Sequence, residues 1–297
     1  MSIMKSKPFF AYRSFWPELE TMKRMSEAGV KTICFYASNT LNSLGEPYCK
    51  YPPMWNWYGE YDFEPLDRQI ADSQSVCPDV KFICMVDLNS PEWLIKNRIC
   101  YDSFSELGRV ICNPEWREFM NEYLHAFLEY SEKKHGDVIE AYAIASGQTC
   151  EWMDFSLGTE SPAKTAAFQA WCRERGIPVP DDIPPPSIRN RVTHDAMLRD
   201  PQQDRLALQY WKFCSEAVAD TLAYFVGEAR TIVPAAKPIG AFYGYAVELN
   251  GDRFLSLSHL AYEKALDIPG LDFLISPGTY RDRAMGGGSG FMVPYGT

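Results

Sequence analysis

Short apolar runs recur along the chain and alternate with longer segments in which apolar residues are spaced as on one face of a helix. The runs predict six strands, at residues 8–16, 30–38, 81–88, 139–146, 238–245 and 271–277. Within most runs the apolar residues follow one another instead of alternating with polar ones. Strands of that kind are buried on both faces, which is typical of a parallel sheet covered by helices.

The segments between the runs predict helices that begin near residues 17, 63, 113, 161, 203 and 254. In the first of them, Met22 and Met25 should face the core, and Gly29 stands where a C-terminal cap belongs. A proline-rich stretch at residues 176–202 interrupts the alternation, so we expect a loop or an insertion there.

Two architectures fit this order of elements: an open doubly wound sheet and a (β/α)8 TIM barrel. The barrel is favoured because polar and aromatic residues cluster directly after the strands, on the face where barrels build their sites. We therefore expect one α/β domain of the TIM-barrel type over residues 1–297, with about six βα units visible and the carboxy-terminal units missing. Loops, terminal segments or a second copy of the chain, forming a homo-oligomer, would then cover the open edges of the barrel.

Charge and cysteine usage narrow the choice of partners and compartment. The 297 residues include 29 basic and 39 acidic side chains, a formal net charge of −10, which argues against nucleic-acid binding. The nine cysteines include no C-x-x-C pair, which indicates reduced thiols and no zinc cage. No apolar run approaches the ~18 residues of a membrane span, and the start of the chain has no signal-peptide pattern, so we expect a cytoplasmic protein. No nucleotide- or metal-binding motif occurs, so no cofactor is expected.

The most informative single residue is Glu151, in the sequence SGQTCEW (146–152) directly after the fourth predicted strand. A carboxyl group at that place would lie in the barrel mouth, where the adjacent Trp152 could shield it from water. Loss of hydration raises the pKa of a carboxyl group, as a proton donor to a leaving oxygen requires. The alternative is a surface glutamate in a strand-to-helix loop.

Aromatic and polar side chains follow the other strands at the same end of the predicted barrel. Aromatic rings stack on the apolar face of a sugar ring, and Asp, Asn, Gln and Arg bind its hydroxyl groups. The candidate substrate-binding residues are Arg13, Trp55, Trp57, Asp87, Asn89, Trp93, Gln148, Trp152, Tyr243, Tyr245 and Tyr280. The alternative for any one of these aromatic residues is that it merely caps the core.

Several ordered blocks resemble the catalytic barrel of β-galactosidase-like glycoside hydrolases of clan A, related to family 42. They include YPPMWNWYGEYDFEPLDRQI, KFICMVDLNSPEW, ASGQTCEW and DFLISPGTYRDRAMGGGSGFMVP, and the likeness covers most of the chain from about Tyr51 onward. The resemblance implies that Glu151 is the general acid/base. It also implies an asparagine just before that glutamate, where this chain has Cys150.

The same resemblance implies a nucleophilic glutamate after a seventh strand, and no residue of this sequence matches it. Retaining enzymes place their two carboxyl groups about 5–5.5 Å apart, and Glu248 or Asp282 could approach Glu151. We therefore expect either the amino-terminal part of a longer enzyme or a gene product that has lost its end.

Three functions remain open. The favoured hypothesis is a retaining glycosidase with a carbohydrate substrate, acting on β-galactoside-type or related glycosides, with no nucleic-acid or membrane partner. The second is a carbohydrate-binding pseudo-enzyme or an inactive fragment that lacks the nucleophile. The third is a barrel enzyme of another class, such as a lyase or isomerase acting on small acids, which would need metal ligands or a phosphate site at the strand ends.

Overall fold

The structure, a computed structural model, describes residues 10–13, 18–39, 49–191, 199–245 and 253–276. Its strands are β1 (Ala11–Arg13), β2 (Thr32–Ala37), β3 (Trp55–Trp57), β4 (Glu60–Tyr61), β5 (Lys81–Asp87), β6 (Ile139–Ala145), β7 (Ile239–Phe242) and β8 (Phe273–Ile275). Its α-helices are α1 (Leu19–Glu27), α2 (Glu64–Val76), α3 (Glu92–Leu94), α4 (Ser103–Val110), α5 (Pro114–His135), α6 (Pro162–Glu174), α7 (Pro186–Arg189), α8 (Arg205–Arg230), α9 (Arg253–Ser256) and α10 (Tyr262–Leu266). A π-helix, Ile95–Ile99, follows α3 directly.

Six of the described strands form one parallel sheet in the order β1-β2-β5-β6-β7-β8. The sheet curls into a half-barrel with helices between its strands, which is a partial (β/α)8 TIM barrel and confirms the predicted fold class. Each of the six strands lies inside one of the predicted apolar runs. Within this part of the chain β1 and β8 are the edges of the sheet, and a second copy covering them stays a prediction.

The two faces of the sheet carry two separate apolar layers, because successive side chains along a strand point to opposite faces. On the outer face, residues such as Phe35, Val86 and Tyr142 pack with α5 and α8. On the inner face, Tyr36 and Phe242 pack with other buried residues at the strand ends. This double burial explains why the strand runs are apolar throughout.

Local sequence signals start the helices that cover the outer face. The Asn113 side chain accepts a hydrogen bond from the Glu115 backbone N–H (3.0 Å) at the start of α5, and Pro114 occupies the first turn. The Ser161 hydroxyl caps α6 in the same way through the Lys164 N–H (3.3 Å). Both caps satisfy N–H groups that have no partner inside the helix, so these two predicted helix starts are confirmed. None of the helices that the structure describes is long and apolar enough to cross a lipid bilayer.

Two sequence-based predictions about elements differ from the structure, and some elements were not predicted. Met22 is buried as expected, but Met25 is 39% exposed, so its predicted inward orientation is wrong. The helix predicted near residues 254–266 is two short helices, α9 and α10, separated by a segment in which Ser258 has a φ of 65°. The sequence also missed α4 and the antiparallel hairpin of β3 and β4.

All nine cysteines fall inside the described ranges, and none of them is in a disulfide bond. Seven are buried, Cys112 is half-buried and Cys100 is exposed. Most of the cysteine side chains therefore belong to the core.

Candidate active site

The loop after β6, which carries Glu151, has a backbone conformation that is rare for non-glycine residues. Thr149, Cys150 and Trp152 have φ angles of 52°, 62° and 57°, in the left-handed region, and Gly147 has 74°. The loop is closed by hydrogen bonds from the Cys150 N–H to the Gly147 carbonyl (3.0 Å) and from the Trp152 N–H to the Ser146 carbonyl (2.7 Å). Non-glycine residues in this region cost on the order of 1 kcal/mol each, and such strain clusters at functional sites. The strained backbone on both sides of Glu151 is therefore typical of a functional site.

Asn89 contacts this loop through both the oxygen and the nitrogen of its side-chain amide. Its Oδ1 accepts hydrogen bonds from the Gly147 N–H (2.9 Å) and the Ser103 hydroxyl (2.9 Å). Its Nδ2 donates to the Gly147 carbonyl (3.4 Å) and lies 3.7 Å from the Cys150 Sγ. Since Asn89 is completely buried, it fixes the loop that carries Glu151. Its predicted contact with a substrate stays a prediction.

Asp87 organises the neighbouring strand ends. Its carboxylate accepts backbone hydrogen bonds from Asn39 (2.9 Å) and Asn89 (3.0 Å), and it has no exposed surface. Burial raises the pKa of Asp87, although hydrogen bonds from Tyr36 and from the two backbone N–H groups favour the charged form. In the structure Asp87 joins the ends of β2 and β5. Its predicted contact with a substrate stays a prediction.

Cys150 points into the half-barrel and belongs to the same polar network. Its thiol donates a hydrogen bond to the Tyr36 hydroxyl, and the Tyr36 side chain is in turn bonded to Asp87. Burial raises the pKa of the Cys150 thiol, and the nearby Asp87 carboxylate raises it further. The thiol is therefore neutral and serves as a link between Asn89 and Tyr36.

Glu151 itself is nearly buried, with 8% of its surface exposed. Its Oε1 lies 3.9 Å from Nη2 of Arg13, and the Arg13 guanidinium lies over the Phe242 ring, 4.3 Å from the ring centroid. Burial raises the pKa of Glu151, while the Arg13 charge and the nearby polar side chains of Thr149 and Tyr245 lower it without reversing the shift. A carboxyl group in this state can hold a proton above the ordinary carboxyl range and can donate it to a bound molecule.

Of the predicted binding residues, the structure brings Arg13 and Tyr245 together with Glu151 and places Asp87 and Asn89 beneath its loop. Gln148, on the loop itself, is half-buried. Three further candidates lie outside the described residues: Tyr280, Glu248 and Asp282.

The predicted aromatic residues lie mostly in the outer layer. Trp55 is buried and stacks on Tyr123 of α5 with ring centroids 5.2 Å apart, and the Trp93 Nε1–H donates to the Trp55 carbonyl (3.1 Å). Trp57 is 46% exposed and its ring lies 5.0 Å from that of Trp93. Trp93 thus contacts both Trp55 and Trp57, and Trp55 packs on α5. The predicted contact of these three tryptophans with a substrate stays a prediction.

Trp152 and Tyr243 also face the helices. The Trp152 ring is buried against Phe225 of α8, and its Nε1–H donates to the Ile144 carbonyl (2.8 Å). The Tyr243 hydroxyl donates to the backbone carbonyls of Ser215 (3.2 Å) and Ser258 (2.9 Å). The Trp152 ring therefore packs in the outer layer, between the sheet and α8, and does not shield Glu151 as expected.

Sequence reasoning missed three residues that build the site. Tyr36 and Thr149 contact Cys150 and Glu151, and His259 lies against the backbone of Glu151. Tyr36 could have been found by counting alternate positions along the second strand, since it shares a face with Cys34. His259 carries no local signal, because it lies in a segment whose apolar spacing resembles a helix.

No protein-family model matches this sequence, and no curated protein sequence matches it. The fold matches solved structures. The catalytic domain of a β-amylase from Paenibacillus polymyxa has a TM-score of 0.60 at 13% identity, over 90% of this chain and 76% of that one. Two β-galactosidases are also similar: one from Rahnella sp. R3 (TM-score 0.51, 14% identity, 91% and 39% coverage) and one from the psychrophilic Marinomonas ef1 (0.50, 15%, 78% and 36%). The chain spans little more than a third of the length of either β-galactosidase. At these identities the likeness establishes the shared barrel fold.

Proposed function

We propose that this chain is a glycoside hydrolase-like protein in which Glu151 is the general acid/base. The observation that carries the proposal is the carboxyl group of Glu151, which is nearly buried at the end of β6 with a raised pKa. The solved structures with the same fold include β-galactosidases and a β-amylase, which supports a glycoside as the substrate.

In the proposed reaction the Glu151 carboxylic acid donates its proton to the glycosidic oxygen while a second carboxylate bonds to the sugar carbon and the bond from that carbon to the glycosidic oxygen breaks. The leaving group departs as a neutral alcohol, and Glu151 remains as a carboxylate. The Glu151 carboxylate then accepts a proton from a water molecule, whose oxygen bonds to the sugar carbon and displaces the second carboxylate, which restores the acid. We further propose a retaining enzyme acting on β-galactoside-type or related glycosides, a reaction that needs a second carboxyl group close to Glu151. Glu248 and Asp282, which lie outside the described residues, are the candidates that this sequence offers for it.

The test is hydrolysis of a panel of nitrophenyl glycosides by the wild-type chain and by Glu151→Gln. We expect activity on at least one β-glycoside and a fall in kcat/KM of about 10²- to 10⁴-fold in the variant, because the amide cannot donate a proton in the same way. The matched control is Glu140→Gln, which changes an exposed glutamate on β6, the strand before the Glu151 loop, and should retain full activity.

Two outcomes would overturn the proposal. Equal activity of the wild type and Glu151→Gln would remove Glu151 from its role. Absence of turnover on every glycoside, together with sugar binding measured by calorimetry, would identify a carbohydrate-binding protein.

A further inference from the structure

The hairpin of β3 and β4 presents two large aromatic side chains to water. Trp57 is 46% exposed and Tyr58 is 53% exposed, although Trp55, at the start of the same strand, is buried. Gly59 completes the turn with a φ of 65°, in the left-handed region that glycine adopts without strain. The hairpin therefore ends in two neighbouring rings, each of which leaves about half of its surface open to solvent.

Trp93 connects these surface rings to the core. Its ring centroid lies 5.2 Å from that of Trp55 and 5.0 Å from that of Trp57. The Trp93 Nε1–H donates to the Trp55 carbonyl (3.1 Å), which fixes the middle ring of this row. The Tyr58 ring contacts the buried Phe119 of α5, with centroids 4.9 Å apart. Both exposed rings are thus held by packed neighbours, so a ligand that binds them has little side-chain entropy to overcome.

The charged groups that flank Trp93 are paired with one another. Glu92 accepts from Lys96 at 2.6 Å, one turn further along. Arg98 forms an ion pair with Glu115, at the start of α5. Because each positive side chain of this turn has a negative partner, the surface beside the rings favours a neutral ligand over a nucleic acid or an acidic peptide.

The size of the exposed surface limits the kind of ligand. Aromatic side chains bury about 150 to 250 Å² each, so two that are half exposed offer on the order of 200 Å². A stable interface between two proteins buries about 800 Å² on each partner. The exposed rings are therefore too small a surface to hold a second protein and are suited to a small, flat ligand.

We infer that Trp57, Tyr58 and Trp93 form an aromatic platform that binds the pyranose rings of a neutral glycan chain. Aromatic faces stack on the apolar face of a pyranose, while the hydroxyl groups at its edge stay in water. The choice of a glycan rests on the proposed function, and the platform itself rests on the ring geometry. Stacking needs no proton transfer, so binding at the platform can be measured apart from turnover.

The experiment measures binding of soluble β-1,4-galactan and of amylose by affinity gel electrophoresis. The parent protein is the Glu151→Gln chain, so that the polysaccharide stays intact, and we expect at least one of the two polysaccharides to retard it. Adding Trp57→Ala or Tyr58→Ala should weaken binding about tenfold, because a stacked ring is lost. Phe10→Ala, which removes an exposed ring at another place, is the matched control and should leave binding unchanged.

A second set of variants separates ring stacking from a merely apolar surface. Trp57→Phe keeps a flat ring and should keep most of the binding. Trp57→Leu keeps an apolar side chain without a flat face, and should weaken binding as much as Trp57→Ala does. Circular dichroism checks that each variant is folded, and Tyr58→Phe and Tyr58→Leu give the same comparison if the Trp57 variants do not fold.

The inference is overturned if neither polysaccharide binds, or if folded Trp57→Ala and Tyr58→Ala bind as tightly as the parent. Equal binding by the phenylalanine and leucine variants would also overturn it. So would self-association in sedimentation velocity that Trp57→Ala abolishes, because the rings would then contact a second copy of the chain. The glycoside panel reports turnover by Glu151, whereas the gels report binding by a chain in which Glu151 is already replaced, so the two proposals fail separately.

Discussion

Arg13 and Tyr245 act on Glu151 in the opposite direction to burial. The Arg13 guanidinium is 3.9 Å from the Glu151 carboxyl group and favours its charged form, yet the pKa of Glu151 stays raised because the group is nearly buried. The sequence put Arg13, Glu151 and Tyr245 at strand ends, which was enough to predict that they meet. The sequence could not predict whether the pKa of Glu151 is raised or lowered, because the direction depends on how deeply the Glu151 carboxyl group and the Arg13 guanidinium are buried.

Replacing Arg13 tests this balance. In Arg13→Met we expect the pKa of Glu151 to rise further, since a positive charge that stabilises the carboxylate is removed. Arg13→Lys keeps a positive charge and should show a smaller change. The measurement is the pKa of Glu151 from a ¹³C NMR titration of chain labelled at the glutamate carboxyl carbon, with the signal assigned by its loss in Glu151→Gln. An unchanged or lowered pKa in Arg13→Met would contradict the assigned electrostatics.

The pH dependence of turnover follows from the same shift. A general acid must be protonated, so kcat/KM of the free enzyme should fall as pH rises through the pKa of Glu151. Because that pKa is raised above the ordinary value of 4.5, the fall should occur above pH 4.5, and further up the scale in Arg13→Met. A profile whose alkaline limb lies at or below pH 4.5 would show that another group is the acid.

Asn89 shows how one buried amide can support a strained loop. In Asn89→Ala we expect a loss of about 2 to 4 kcal/mol in the free energy of unfolding, because several buried groups lose their hydrogen-bond partners. Asn97→Ala is the control, since Asn97 is exposed and makes one side-chain hydrogen bond, to the Trp93 carbonyl (2.5 Å). Denaturant unfolding of both variants checks the difference, and equal losses would contradict a supporting role for Asn89.

Among the elements, those with local start signals could be predicted and those set by distant contacts could not. Asn113 and Pro114 begin α5 through groups within the first helical turn. The break between α9 and α10 depends on contacts of His259 with Tyr243, Tyr245 and the Glu151 loop, which are far away in the sequence. The same limit explains Trp55 and Trp93, since position after a strand does not tell on which side of the barrel wall a ring will pack.

The contact between β7 and β8 depends on a residue without a side chain. Gly240 pairs with Phe273, and a Cβ at Gly240 would lie only 2.2 to 2.5 Å from carbons of the Phe273 ring. In Gly240→Ala we therefore expect a loss of about 1 to 3 kcal/mol in the free energy of unfolding.

Gly227→Ala is the matched control for this prediction. Gly227 lies in α8, and nothing lies within 4 Å of the position that an alanine Cβ would take there. Alanine should therefore stabilise the helix by about 0.5 to 1 kcal/mol. Thermal or denaturant unfolding distinguishes the two signs, and a neutral Gly240→Ala would show that β8 does not pack closely on β7.

For the molecule as a whole, the parallel half-barrel could be predicted because strands that are apolar on both faces occur mainly in parallel sheets covered by helices. The inner network of Tyr36, Asp87 and Cys150 could not, because it joins residues from three separate parts of the chain. The wall of the barrel and the position of Glu151 were thus open to prediction, whereas the groups that support Glu151 needed the assembled fold.

The pH dependence of global stability should reflect Asp67, which ties α2 to α5. Burial works to raise the pKa of Asp67, but hydrogen bonds from Lys134, His135 and Tyr130 outweigh it and lower the pKa. A lowered folded pKa means that the stabilisation is present above the unfolded value and is lost as pH falls through the folded value. Asp67→Asn should therefore cost about 1 kcal/mol or less at pH 7, since the site is partly exposed, and the cost should vanish in acid.

Unfolding of wild type and Asp67→Asn from pH 7 down to pH 2 checks this dependence. Glu64→Gln, which removes an exposed pair with Arg68 on the same helix, should change stability little at any pH. A difference between wild type and Asp67→Asn that persists in acid would contradict the assignment.

The most direct test of Glu151 as a proton donor is to measure how the loss of kcat/KM in Glu151→Gln depends on the leaving group. The wild type and Glu151→Gln would be assayed on aryl glycosides of the sugar that the nitrophenyl panel selects, with phenols that differ in pKa. We expect the loss of kcat/KM in the variant to be small for a dinitrophenyl leaving group, which needs no proton, and to grow steadily as the phenol becomes more basic. A loss of the same size for every leaving group, or no loss at all, would contradict the proposed role of Glu151.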